Sequence, residues 1–592
     1  MVSFLEHLDT NYVPSYENIP RIQKIIQENT SAAAAIDREI GPLVLTIAGL
    51  IKRRMAHADF ASRHASLLGP IRRIPDDVLS VIFGACLPSS DDSKQPPMSR
   101  THPAVVLSHV CRRWRQLSIS TPTLWTSIVL ALPIHPAQGD EVMWHSLTPG
   151  VLREAGTRWE TRMEDLLQMC KVWLARSAEA PLNILLWGST HSDSLHQEAT
   201  DRISGFINLL CGAAHRWRVV DICLALCTRD APQERTVVAP SALVNLRPAD
   251  IPLLVSLRLR LESGSEWQGT LNSAVDHKSI HFLRAPALHS LRLDSIICPW
   301  KSMDVDWSSL THLHFGGYGP PKSALTWGNP SLLFDWVDAF LLLSECARLI
   351  TCDLAIPYTG SNDAPIRSRY LTLPSLESLT LRGVVPDERF LDRVDFPSLR
   401  NLHYAYPTRP FAPSYRGPEA QEGGVFSAWL RRFGHQVHSV SFEFPTLADD
   451  ALYRLLKGLH VVESLDIVAA PPAWGTNGER VANFAAVLMP KNVTAEDEPI
   501  PSLCPKLKRL HLNVAFYGAA LDEEGILKMI AARRVRGVGE ELALIDEVHV
   551  DLGVTQTMDI PAELQVRNVD VEGFRFTATY IPPVPLVTFS PD

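Results

Sequence analysis

The side chains with the most chemistry to offer are polar ones set among leucines. Arg258, Arg292, His312, Thr380, His403 and His511 each lie in or beside a segment of the form Leu-x-x-Leu-x-Leu. Side chains alternate across a strand, so if the leucines face a core these six point outward onto one shared face. Imidazole, guanidinium and hydroxyl groups in a row suit partner binding, and Arg258, Arg260 and Arg292 could read a phosphate. Catalytic templates are missing: no GxxxxGK[ST], HExxH or GxSxG occurs. Asp304-Val-Asp306 is a pair of a kind that arises freely by chance, and Phe315-Gly-Gly-Tyr-Gly-Pro-Pro lacks GxGxxG spacing and reads as a loop after a strand. The ten cysteines form no CxxC, and the closest pairs, Cys223/Cys227 and Cys346/Cys352, lack histidines at zinc spacing. Reduced, buried thiols are expected, with no metal, no cofactor, no catalytic residue and no enzymatic activity.

The elements that would position such a face recur. Seven copies of the leucine pattern have Leu257, Leu291, Leu313, Leu379, Leu402, Leu465 and Leu510 at their middle position, and a weaker copy has Val440. The intervals run 34, 22, 66, 23, 38, 25 and 45 residues. The shorter ones match a leucine-rich repeat of 20–29 residues. The interval of 66 leaves room for more units, one at Leu349 to Leu354. A single unit cannot bury its apolar side, so neighbours must stack. Helices such as the one expected within residues 331–349 would cover the other side. An irregular α/β solenoid over 131–592 is expected, with an ordinary α/β domain as the alternative.

Composition sets wider bounds. The 592 residues are 46% hydrophobic and 20% charged, enough for a large core. Net charge is -9, with a mildly basic N-terminal part and no dense basic cluster, so no nucleic-acid face is expected. No apolar stretch is long enough to span a bilayer and no signal peptide is read, which points to the cytoplasm or nucleus and leaves the sequon at Asn492 unused. Residues 1–69 read as helices interrupted at Gly41-Pro42, either as an antiparallel hairpin or as a coiled-coil-like partner site. A further helix is expected over about Ala104–Ser118, with Val106, Val110, Trp114 and Leu117 on one face.

Residues 70–130 carry a denser pattern. Ile74-Pro75-Asp76-Asp77 precedes an apolar stripe of Val78, Leu79, Ile82 and Phe83, and a polar insert leads to Val110-Cys111-Arg112-Arg113-Trp114 and a closing Leu124-Trp125. This resembles the F-box-like domain of large families in mushroom-forming fungi, with further matches at residues 173–186 and 215–224. The overall expectation is an α+β chain: N-terminal helices, F-box-like helices, then the repeats. In F-box proteins such residues contact a Skp1-type adaptor. The resemblance therefore implies adaptor contacts at Ile74, Pro75, Val78, Leu79, Ile82, Phe83, Val110, Cys111 and Trp114. It implies the substrate receptor of a cullin-RING ubiquitin ligase, with an unknown protein substrate held by the repeats. A degenerate F-box on a ligase-independent scaffold is the other reading.

Overall fold

The computed structural model describes residues 4–580 apart from 9, 89–96, 134–148, 190–195, 226–240, 263–279, 295–299, 317–333, 357–365, 367, 384, 387, 406–423, 445–448, 470–482, 490–502, 514–522, 535–541 and 553–554. Asn492, residues 89–96 of the polar insert and most of the glycine-rich stretch after Phe315 lie outside these residues. The chain falls into two compact units, Met1–Ala85 and Cys86–Asp592.

In the first unit, α1 (Ile19–Ala65) is one continuous helix with Pro42 inside it. The expected interruption at Gly41-Pro42, and with it a hairpin of two helices, does not form. Proline deprives the Arg38 carbonyl of its helical donor. Here the helix has no buried residue, so water can meet that carbonyl, and Ala32–Ala35 favour helix on the N-terminal side. Leu43, Ile47, Leu50, Ile51 and Met55 are all exposed along it. α2 (Asp76–Ala85) follows Pro75, with Asp76 and Asp77 in the first turn, where carboxylates favour the free N–H groups.

The second unit opens with α3 (Pro103–Val110) and α4 (Arg112–Ser120), where a single helix is expected from the apolar spacing. Cys111 breaks the run. Its backbone is extended, and its thiol caps α4 by accepting from Trp114 N–H at 3.4 Å. Buried Ser118 ties the two helices together, donating to the Ala104 carbonyl at 3.0 Å while its own carbonyl accepts from Trp125 Nε1 at 2.8 Å.

Of the sixteen strands among the described residues, fourteen form one parallel sheet in simple chain order. They are β1 (Ser127–Ala131), β2 (Leu182–Ser189), β3 (Trp217–Ala225), β4 (Ser256–Glu262), β5 (Ser290–Asp294), β6 (His312–Gly316) and β7 (Thr351–Ile356). After the short β8 (Leu371–Thr372) come β9 (Ser378–Gly383), the short β10 (Val394–Asp395) and β11 (Asn401–Ala405). The sheet continues through β12 (Ser439–Phe444), β13 (Ser464–Ala469), β14 (Arg509–Asn513), β15 (Glu547–Asp551) and β16 (Arg575–Thr579), while β8 and β10 pair only with each other.

The register reproduces the sequence repeat. Leu257, Leu291, Leu313, Cys352, Leu379, Leu402, Val440, Leu465 and Leu510 are successive partners across β4 to β14. All are buried, as is the row two residues on, from Leu259 to Leu512. Fully burying each such leucine is worth about 1.5–3 kcal/mol, which a lone strand could not obtain. β7 fills the long gap in the sequence repeat. Between strands, the helix Trp336–Glu345 buries six side chains and is capped by Asp335, which accepts from Val337 and Asp338 N–H, both at 2.9 Å. β1 pairs with β2, so a division after Leu130 would cut through a strand of the sheet. Among the described residues no helix is long and apolar enough to cross a membrane.

Candidate functional site

The outward side of the sheet carries one register row of polar residues. It runs Asp221, Arg258, Arg292, His314, Asp353, Thr380, His403, Ser441, Asp466, His511, His549 and Thr577 from β3 to β16. Parallel pairing without slippage places these side chains in line, one strand spacing apart. Arg258, Arg292, Thr380, His403 and His511 therefore stand together as the alternation predicts. His312 shares their face but lies one pleat earlier, as the register partner of Ser290. The row position on β6 belongs to His314, which the sequence reading passed over. The rule that selects Arg258 between Leu257 and Leu259 selects His314 between Leu313 and Phe315. Also missed were β15 and β16, although Val548, Val550 and Leu552 alternate as a strand should.

His314 is the hub of the first half. Its Nε2 lies 2.7 Å from Asp294 Oδ1 and its Nδ1 lies 2.7 Å from Asp353 Oδ2, with the ring only 14% exposed. Arg258 bridges Asp294 at 3.1 Å and Asp221 at 3.4 Å, and Arg292 reaches Asp294 at 3.3 Å. Arg382 grips Asp353 with two parallel bonds of 2.8 and 2.9 Å. Burial opposes the imidazolium, but hydrogen bonds to Asp294 and Asp353 outweigh it and raise the His314 pKa. Burial likewise pushes Asp353 up, and its bonds to His314 and Arg382 more than reverse this, bringing it down to about 2. Asp294 is held well below the usual carboxylate range, again against burial, by His314, Arg292 and Arg258. His403 behaves oppositely: burial first, then the Arg382 charge, keeps its pKa low.

The second half is built around Asp466 and Asp551. Ser441 donates to Asp466 Oδ2 at 2.9 Å, and His511 Nδ1 lies 2.8 Å from Asp466 Oδ1. Asp551 sits between two imidazoles, 3.5 Å from His511 Nε2 and 3.2 Å from His549 Nε2.

The residues singled out near the N-terminus divide by exposure. On α2, Leu79 and Phe83 are completely buried, while Val78 and Ile82 are 45% and 38% exposed. Pro75 is exposed and Ile74 half-buried. In the second unit, Val110 and Cys111 are exposed and Trp114 is half-buried. Leu79 and Phe83 are thus withdrawn from solvent, and the side chains offered to it are Pro75, Val78, Ile82, Val110 and Cys111. Asp304, from the DxD pair, is taken up by His281 at 3.4 Å and Arg284 at 3.6 Å.

Residues 71–131 match the family model described as F-box-like. The chain carries an F-box-like domain there. The match takes in α2, α3, α4 and β1. A comparison with curated proteins finds none that matches the chain.

Proposed function

We propose that this chain is the substrate receptor of an SCF-type ubiquitin ligase, and not itself an enzyme. The F-box-like segment docks a Skp1-type adaptor and so joins a cullin-RING ligase. The fourteen-strand sheet, a divergent leucine-rich-repeat array, holds a protein substrate along its polar row. The carrying observation is the F-box-like match over residues 71–131, in which Val78, Ile82 and Val110 are apolar yet exposed. Exposed apolar side chains on short helices are what a protein partner buries. The reaction gains from proximity, since tethering raises the effective concentration of substrate lysines near the activated ubiquitin.

One observation favours a second reading, a ligase-independent scaffold. α3, α4 and β1 are built into the same compact unit as the sheet, with Arg176 stacked over Trp125 at 4.4 Å and Trp173 edge-on to it at 4.8 Å. A segment so integrated has a structural role whether or not it docks an adaptor.

A pull-down with a Skp1-type adaptor separates the two. The wild-type chain is expected to bind, and Val78→Glu with Ile82→Glu, or Val110→Glu alone, is expected to lose binding with an unchanged circular dichroism spectrum. Leu79→Asp is unsuitable, because a carboxylate at a fully buried position disturbs the fold itself. Failure of the wild-type chain to bind, where a known F-box protein binds, would overturn the ligase reading and leave the scaffold.

A further inference from the structure

We infer that the C-terminal part of the sheet holds a divalent transition-metal site, of a kind suited to zinc, with His511, His549 and Asp551 as ligands and Asp466 as the carboxylate behind His511. The inference is independent of adaptor docking. His511 and His549 are register partners on β14 and β15, and Asp551 follows His549 by two residues, so all three project from the same face. One donor atom from each lies within 4.8 Å of the others. Two imidazole nitrogens and a carboxylate oxygen form a borderline donor set that suits zinc, cobalt or nickel better than calcium or magnesium.

The spacing fits a tetrahedral centre. With metal–ligand bonds of about 2.0–2.1 Å, neighbouring donor atoms stand about 3.3 Å apart. His549 Nε2 lies 3.2 Å from Asp551 Oδ1 and His511 Nε2 lies 3.5 Å from Asp551 Oδ2, so each imidazole stands at about that spacing from one oxygen of the carboxylate they share. The two rings meet edge-on, with centroids 4.6 Å apart and planes inclined by 62°, close enough for one nitrogen of each to reach a shared ion.

A second observation comes from unsatisfied groups. Among the described residues, His511 Nε2, Asp466 Oδ1 and Asn513 Oδ1 are buried without a hydrogen bond. Half of all such orphaned atoms in the described chain therefore crowd into this one corner, with Asn513 the register partner of Asp551. A buried polar atom without a partner costs about 1–3 kcal/mol, so a cluster of them favours a bound group that would satisfy them. The contact of Asp466 Oδ1 with His511 Nδ1 has ion-pair length but poor hydrogen-bond alignment. With Nε2 on a metal, the Nδ1–H of His511 has that carboxylate 2.8 Å away as its acceptor. A carboxylate orienting a metal-bound histidine through its other nitrogen is the usual outer support of such sites. Ser441 in turn fixes Asp466. Three protein donors leave a fourth position for water or for a donor from a bound partner.

The test uses the full chain, stripped with a chelator and titrated with Co2+. The expected result is one equivalent bound with the visible absorption of tetrahedral cobalt, displaced by Zn2+. His549→Ala, His549→Gln and Asp551→Asn are each expected to abolish the band with the fold intact by circular dichroism. Asp466→Asn is expected to weaken binding about 10- to 100-fold while keeping the band. Absence of a one-equivalent tetrahedral band, or a band that survives both His549 substitutions, would overturn the inference.

Discussion

Replacing His314 by alanine tests whether the polar row is an electrostatic construction or a set of independently solvated side chains. Both ring nitrogens face carboxylate oxygens at 2.7 Å. A neutral imidazole has one N–H and can serve only one of Asp294 and Asp353, whereas the imidazolium serves both. One ion pair at about 4 Å between charge centres is worth about 4 kcal/mol at an effective dielectric of 20. Breaking a buried pair costs about 3–5 kcal/mol. Arg258, Arg292 and Arg382 remain to compensate the two carboxylates, so a loss of about 2–3 kcal/mol is expected near pH 6. The pH dependence follows from the shifts. The His314 pKa is raised on folding, so its contribution is complete below about 6.5, the unfolded value, and fades as pH rises through the folded value. Asp353 is lowered to about 2, so its share is complete above the unfolded carboxylate value and is lost as pH falls toward about 2. Hydrogen exchange of β5, β6 and β7, corrected for intrinsic rates, reads this locally. His314→Ala should cost roughly 30- to 150-fold in protection near pH 6, and clearly less near pH 9. An equal loss at both values would mean that the ring acts only by filling space.

Two further outcomes are expected from the fold. Arg533, 2% exposed, donates to the carbonyls of Leu488, Leu503 and Cys504 at 2.9, 2.6 and 3.1 Å. Arg533→Ala orphans all three and should destabilise β14 to β16 by at least about 3 kcal/mol by hydrogen exchange, whereas Arg575→Ala, at a solvated position, should change protection by under about 0.5 kcal/mol. Gly383 has φ of +85°, and a Cβ there would stand 2.6 Å from the Ile356 carbonyl oxygen, so Gly383→Ala should lower the melting temperature while the exposed Gly84→Ala, in a helix, should raise it or leave it unchanged.

What the sequence made legible was whatever a period can carry. The leucine repeat located its seven strands, and an interval of 66 residues anticipated β7, because alternation on a half-buried strand is a local property. The breaks were less legible where one atom decides them. Cys111 reads as one more residue of an amphipathic helix until its thiol is seen to cap α4. Pro42 reads as a helix end, because the sequence does not reveal that the surrounding turn is fully solvated. For the same reason the apolar stripe on α2 could not be divided into Leu79 and Phe83, which are buried, and Val78 and Ile82, which are not. The charged row was legible as a face but not as a circuit. Asp294, which joins Arg258, Arg292 and His314, stands one pleat beyond the row, and Arg382 reaches Asp353 from a strand 29 residues away in sequence. The same offset brings Asp551 onto His511 and His549. In a parallel sheet, neighbours on one face come from different strands and adjacent pleats. Spacing rules for metal or catalytic motifs, which count along a single chain, are blind to clusters assembled across the register. Among the described residues, the polar groups around His314 and around Asp551 are both of that kind.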